Sequence, residues 1–340
     1  MQPKVSVIVP NYNHAPYLKQ RFDSIFNQAF QDFEVIILDD CSTDNSKEVI
    51  EEYRNRPQVS HIIYNETNSG SPFKQWAKGF ELAKGEYIWI AESDDWAEVK
   101  FLEILSSLLG TNKKIALAFS ASSIIYPNKR GVHSPYSCDT TINGMDFIKS
   151  KMVLGNAIYN ASAVVFKRSS LDRISKQYQN FKSAGDYLFW ILICQTGQTA
   201  FKAECLNNFR QHSTNTTSQN QIKGTAFFEI HSIFRYLKEN NLSTSFDQNT
   251  YIVLLLDQIK NIQKSNPSKV IEEAHTLWKD EIKFKFFRQT VCFLTILLSR
   301  THIFSFLRAK HSCIPSLDNY ETIGLIWKIL HLPNTNLRLK

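Results

Sequence analysis

The stretch that decides the fold is Val5-Ser6-Val7-Ile8-Val9-Pro10-Asn11-Tyr12-Asn13, an apolar β-branched run that breaks abruptly into polar residues. Two further runs end the same way: Val35-Ile36-Ile37-Leu38 meets Asp39-Asp40, and Tyr87-Ile88-Trp89-Ile90-Ala91 meets Glu92-Ser93-Asp94-Asp95. Short β-branched runs separated by helix-length amphipathic segments predict parallel strands in βαβ units, whose ligands bind at the carboxyl ends of the strands. The three polar clusters are therefore expected at one edge of one sheet. Carboxylate pairs converging there repel each other unless a cation or a hydrogen-bonding ligand offsets the charge, which points to a divalent metal and a nucleotide.

Working outward, the pattern predicts strands at 4–10, 34–39, 61–64, 86–91 and 115–120, and helices at 15–28, 46–54, 72–83 and 97–109. Asn45 followed by Glu48 has the form of a capping box, and Ser71-Pro72 places a cap residue before a proline at the first helical position. After Tyr126 a loop rich in Pro, Asn, Gly and Ser runs to about Asn143, a length that suits an acceptor-binding segment. Helix returns at 144–152, a strand at 161–166, a helix near Asp186, then a strand and turn ending in Phe209-Arg210-Gln211-His212; from about 224 the chain reads as mostly helical.

The serial order VSVIVPNYNH, VIILDDCSTDNS, NSG and GEYIWIAESDD resembles the family 2 glycosyltransferases over roughly residues 3–215. That resemblance implies an α/β GT-A fold with a mostly parallel, Rossmann-like sheet flanked by helices. It also implies transfer of a sugar, with inversion, from a nucleoside diphosphate, UDP being favoured, to a glycan or lipid-linked acceptor in bacterial surface-polysaccharide assembly. On this reading residues 1–223 form the catalytic domain and 224–340 a helical extension. A nucleotidyltransferase would want a Gly-rich basic loop after the first strand, and Pro10-Asn11-Tyr12-Asn13-His14 is not one; intact acids argue against a non-catalytic membrane-complex partner.

The candidate residues follow. A carboxylate at Asp39 or Asp40 can accept the imide N–H of a pyrimidine base, with Asp40 favoured and Asp39 available to orient the turn, while Tyr12 stacks on base or ribose beside Pro10. In Asn68-Ser69-Gly70-Ser71-Pro72-Phe73-Lys74, backbone N–H groups at a helix start can approach a phosphate; Lys74 adds a point charge or is an ordinary surface lysine. Asp94 and Asp95 are expected to hold Mg²⁺ or Mn²⁺ against the diphosphate, Asp94 also touching nucleotide, and Glu92 to act one shell out. His212 is a further ligand or a phosphate donor, and Arg210 a phosphate partner. Asp186, in Gly185-Asp186-Tyr187-Leu188-Phe189-Trp190, resembles the family's acceptor-side base, with Gly185 where relatives carry Glu; its plainer reading is a helix N-cap.

The chain has a formal net charge of +7, and residues 282–340 hold nine of the 39 basic residues but two of the 32 acidic ones, so the surplus resides in the tail. Its Phe-rich helices are interrupted by Arg300 and lack the roughly 18 unbroken apolar residues of a span, which favours lying on an anionic membrane surface or packing as a hairpin. No nucleic-acid module accompanies the charge. The six cysteines show no metal-ligand spacing, and strand-forming sequence follows Met1 at once without a signal pattern, so a cytoplasmic protein, peripheral on the inner membrane face, is expected.

Overall fold

The computed structural model describes residues 2–212 and 223–281. Its centre is a ten-stranded sheet with the order β3-β2-β1-β4-β9-β6-β10-β5, with β7 added on β6 and β8 on β10. The strands are β1 Val5–Asn11, β2 Phe33–Asp39, β3 Val59–Tyr64, β4 Tyr87–Ile90, β5 Trp96–Ala97, β6 Ile115–Tyr126, β7 Lys129–His133, β8 Thr140–Asn143, β9 Val164–Lys167 and β10 Gln198–Arg210. The helices are α1 Ala15–Phe26, α2 Ser46–Glu51, α3 Pro72–Leu82, α4 Phe101–Thr111, α5 Gly144–Phe147, α6 Gly185–Cys194, and then α7 Ala226–Glu239, α8 Ser245–Ser265 and α9 Lys269–Asp280.

The first four strands are parallel, as the three apolar runs predict. Beyond β4 the sheet is mixed, because β9 runs antiparallel to both β4 and β6. Alternation sorts the side chains onto two faces: Ile8, Ile36, Leu38, Ile88 and Ile90 pack with Phe73, Trp76, Phe189 and Trp190, whereas Val7, Val9, Val35, Ile37 and Trp89 pack with Phe22, Phe101 and Leu105. Helices α3 and α6 therefore cover one face, and α1 and α4 the other. A sheet buried on both sides explains why its strands read as unbroken apolar runs.

Pro10 sets where the crevice opens. Ala91 donates its N–H to the Ile8 carbonyl, so this side of β1 serves β4, and the next donor in that ladder would be the N–H that Pro10 lacks. Pairing with β4 ends at Ile8–Ile90, while pairing with β2 continues to Asn11–Asp39. Just beyond, Asn13 and Cys41 adopt left-handed backbone conformations (φ 56° and 65°), the kind of strain that concentrates at functional turns.

Several local expectations are corrected. Asn45 makes no side-chain cap bond; the Ser46 N–H goes to Asp44 Oδ1 instead. Ser71 likewise does not cap α3, since its hydroxyl donates to the Phe181 carbonyl across the fold. The expected loop after Tyr126 contains β7, joined to β6 through the two-residue turn Pro127-Asn128, and β8; their polar residues lacked a strand signature because only one neighbouring strand holds each. Helix α4 begins at Phe101, because Trp96–Ala97 pair with β10 first.

The described residues fall in one compact unit, Met1–Glu281. Among them no helix is long and apolar enough to cross a membrane. The basic aromatic tail, 282–340, lies outside the described residues, and so do 213–222 after His212.

Candidate active site

The turn after β4 separates its acids. Asp95 N–H closes on the Glu92 carbonyl, and the two neighbouring carboxylates leave in different directions. Asp94 faces a pair of histidines: His212 Nε2 lies 2.9 Å from Asp94 Oδ2, and His14, at the N-cap of α1, holds Ser93 Oγ through Nδ1 at 2.7 Å. One ligand atom from each of His14, Asp94 and His212 lies within 4.8 Å of the others. Two nitrogens and one carboxylate oxygen form a donor set that fits Mn²⁺ or a similar divalent ion, and fits Mg²⁺ less well because of the imidazoles.

Asp95 points the other way, into the protein. Its carboxylate accepts hydrogen bonds from Asn160 Nδ2 (2.5 Å) and the Arg210 N–H (3.0 Å) and is almost fully buried. It therefore stands outside the ligand cluster that sequence order had assigned to it, and His14 stands inside. Glu92 is also interior, taking the Trp76 indole N–H at 2.9 Å. Arg210 binds the Asp94 carbonyl and Gln20, and its guanidinium lies 4.7 Å from the ring centroids of both Tyr17 and Trp96. That side chain clamps the metal-motif turn rather than reaching for phosphate.

Electrostatics divide these acids further. Burial raises Glu92 to about 8 and Asp95 to about 7, the Asp94 charge adding to each. At Asp94 burial acts in the same direction, but the His212 hydrogen bond and the charges of His14 and His212 outweigh it, so its pKa is lowered. Burial also lowers His14, which favours the neutral, ligating imidazole. Behind the turn sits Arg21, fully buried, donating to the Glu92 carbonyl and to Ser162 Oγ, with Nη1 lacking a hydrogen-bond partner. Burial drops its pKa to about 10, opposed by Asp95, Asp94 and Glu92.

On the nucleotide side, Tyr12 is 47% exposed, a bare aromatic face at the mouth of the crevice, while Pro10 is buried within the sheet. Asp39 accepts from Asn11 Nδ2 and from Ser42 N–H and Oγ. Asp40 accepts from Asn65, Gln75, and Ser69 N–H and Oγ. Each carboxylate offers roughly four acceptor positions, so Asp39 spends three of them on the turn and Asp40 all four on the 65–75 segment. The buried Asn11 Oδ1 has no partner. Asn68 donates to the Asp40 carbonyl and accepts from the Gly70 N–H; Lys74 is exposed and donates to the Ser69 carbonyl.

Asp186 lies in the first turn of α6, not at its N-cap, which is Ala184. Asn156 donates to Asp186 Oδ2 at 2.9 Å. Burial pushes this carboxyl to about 7 against the opposing backbone and Asn156 hydrogen bonds, with a small additional push from Glu229. The glycine beside it has a steric cause: a Cβ at Gly185 would lie 2.5 Å from the Phe73 ring and 2.8 Å from the Tyr178 carbonyl, leaving no room for Glu. The same segment ties both ends of the site, since Asn156 meets Asp186 and Asn160 meets Asp95. Between those asparagines Tyr159 stacks on His133 at 4.6 Å.

Sequence reasoning missed the roles of His14, Arg21, Asn156, Asn160 and Glu229. Only His14 carried a signal, its place two residues after Tyr12 in the turn that follows the first strand; the others act on acids tens of residues away. A separate cavity of about 450 Å³ at the opposite edge of the sheet is lined by Lys113, Lys167 and Arg173. There Lys167 bonds the carbonyls of Asn112 and Lys113, and Arg173 that of Thr196, as cations closing helix carboxyl ends do.

The glycosyl transferase family 2 model matches residues 6–175, half of the chain, and the chain belongs to that family: it is a glycosyltransferase. TuaG of Bacillus subtilis, whose name provisionally assigns it to teichuronic acid biosynthesis, is 29% identical over 228 residues, covering 65% of this chain and 84% of that protein. The poly(ribitol-phosphate) β-N-acetylglucosaminyltransferase TarS of Staphylococcus aureus is 30% identical over 190 residues, 55% of this chain but 31% of TarS. In fold, the chain is similar to S. aureus TarS 1–349 solved in complex with UDP-GlcNAc (TM-score 0.51, 18% identity, 83% of this chain and 93% of that one). It is likewise similar to the mannosyltransferase PcManGT of Pyrobaculum calidifontis solved with GDP-Man and Mn²⁺ (TM-score 0.50, 13% identity, 96% and 88%). Both structures share the GT-A architecture of this sheet.

Proposed function

We propose that the enzyme moves a sugar, with inversion, from a nucleoside diphosphate, UDP in our reading, to a hydroxyl of a glycan or lipid-linked acceptor during cell-surface polysaccharide synthesis. The observation that carries this reading is the convergence of His14, Asp94 and His212 within 4.8 Å at the edge where Tyr12 is exposed. The UDP-GlcNAc complex of TarS and the wall-polymer names of TarS and TuaG support the donor and acceptor classes.

In this reading the base stacks on Tyr12 beside Pro10, and its imide N–H is accepted by the position left on Asp39, by Asn11 Oδ1, or by Asp40 in exchange for one of its four present donors. Asn68 and Lys74 border the phosphates. His14, Asp94 and His212 would hold a divalent ion, manganese preferred, which would supply positive charge to the diphosphate leaving group. Asp186 takes the proton of the acceptor hydroxyl as that oxygen attacks the anomeric carbon from the face opposite the diphosphate. The carbon–phosphate-oxygen bond breaks, the new glycosidic bond forms, and the configuration inverts. A carboxyl near 7 is well matched to this task, because the ideal base titrates near the working pH. Residues 1–223 would form the catalytic portion, and 224–340 a helical extension whose basic end holds the cytoplasmic protein against the anionic inner face of the membrane.

A panel of UDP- and GDP-sugars, with Mn²⁺, Mg²⁺ or chelator, tests this reading. Manganese-stimulated release of UDP from at least one UDP-sugar, abolished by chelation, is the expected result. Turnover indifferent to chelator would overturn the metal assignment, and release confined to GDP-sugars would overturn the UDP assignment.

A further inference from the structure

Glu229, in the first turn of α7, reaches across 45 to 47 residues of chain to the segment that leads into α6. Its carboxylate accepts three consecutive backbone N–H groups: Lys182 at 2.6 Å on Oε1, and Ser183 at 2.9 Å and Ala184 at 2.8 Å on Oε2. Successive amides aimed at one point form an anion-binding nest, and here the anion comes from the protein itself. Ala184 is the N-cap of α6 and makes no side-chain cap bond, and Glu229 takes its N–H together with those of the two residues before it.

Asp186 lies two residues further on. A carboxylate in the first turn of a helix is ordinarily stabilised by the helix amino end, which weakens it as a base. Asp186 itself takes backbone N–H groups of that first turn, while Glu229 holds the three amides that lead into it. We propose that Glu229 is the positioning residue for Asp186, locking the entry to α6 so that the carboxylate is held toward the acceptor. Helix α7 thereby supports the catalytic portion from beyond residue 223. This inference rests on the reading of Asp186 as the base.

The direction of the electrostatic effect agrees with that role, since Glu229 raises Asp186, though less than burial does. Other titratable groups around α6 are engaged elsewhere or exposed. On α7, His231 pairs with Glu281 and Tyr236 donates to Gln195. Lys151 lies over the Tyr136 ring, Tyr178 accepts from Gln179, and Lys149 and Lys176 are exposed. Asn156, the side chain bonded to Asp186, is neutral.

The test uses the full chain labelled with ¹³C at aspartate carboxyls, the Asp186 signal being assigned by its loss in Asp186→Asn. Beside it, turnover of UDP-GlcNAc with Mn²⁺ is measured from pH 5 to 9, with melting curves for every variant. In Glu229→Gln the Asp186 midpoint should fall by about 0.5–1 unit, and the acidic limb of the rate profile should move down with it. Turnover should drop about tenfold at pH 8 with the KM for UDP-GlcNAc within about twofold, as expected when positioning rather than donor binding is lost. Glu229→Asp, which keeps the charge, should hold the midpoint near wild type and recover part of the turnover; it also carries the test if the glutamine variant does not fold. An unchanged Asp186 midpoint in Glu229→Gln, or a loss confined to donor KM, overturns the inference. Wild-type turnover in Asp186→Asn overturns instead the assignment of the base, an outcome read independently of the Glu229 titrations.

Discussion

Asp94 and Asp186 are the same residue type in the two positions proposed for metal ligand and base, and their surroundings drive them apart. Both are desolvated, which by itself raises a carboxyl. Asp94 is bonded to His212 and faces His14, so it ends below the ordinary carboxylate range; Asp186 has only backbone amides and Asn156 to oppose desolvation, so burial prevails and it ends near 7. An acid held ionised beside imidazoles suits cation binding, and an acid poised near neutrality suits proton transfer. Pairs of carboxyls pushed apart by environment are how one site acquires two roles.

The widest break in this comparison is expected at Asp94. Asp94→Asn keeps the volume but removes the charge and one hard ligand, and should lower transfer by about 10³-fold or more while the melting curve stays cooperative. Near-normal turnover would place the cation elsewhere. Asp186→Asn should cost about 10²-fold in kcat with donor KM nearly unchanged. In the wild type, the base must be deprotonated to act, so turnover should rise with pH through an acidic limb near 7. A limb below 5 would show that burial does not dominate at Asp186.

His14→Gln sharpens the donor end, since it separates the histidine missed in the sequence from the acids that were found. Metal affinity should fall by about 10–100-fold, the scale typical of weakened ligand support, with turnover restored by excess Mn²⁺. Affinity equal to wild type would remove His14 from the site. Gly185→Ala tests the packing at the acceptor end: the new Cβ meets the Phe73 ring and should cost about 1–3 kcal/mol, read as a Tm several degrees lower.

The smallest effect is one of stability. Folding raises the Asp186 pKa from 3.8 to about 7, so the native state holds this proton more tightly than the unfolded chain, and stability declines as pH climbs from about 4 to about 7. Asp186→Asn removes that decline. At pH 8 it should raise Tm by about 2–6 °C, equivalent to roughly 1–2 kcal/mol once partial solvent screening is allowed for, with the gain fading near pH 4. A variant destabilised at pH 8 would mean that the charged carboxylate makes compensating interactions beyond Asn156.

The sequence alone determined the parallel half of the sheet, the edge on which the acids gather and the family, because periodicity and strand-end polarity are local properties written along a few residues. It also brought Asp94, His212 and Asp186 to notice through motif order. What it could not determine was which of two adjacent aspartates faces outward. Asp94 and Asp95 differ by one position, and only Asn160 and the Arg210 backbone, 65 and 115 residues downstream, turn Asp95 inward. The same limit hid Arg21, which reaches Ser162 across 141 residues, and Glu229, which holds the three amides leading into α6. Such partners leave no periodic trace, since hydrogen bonds between distant segments are specified by how layers pack rather than by spacing along the chain; tertiary structure decided them.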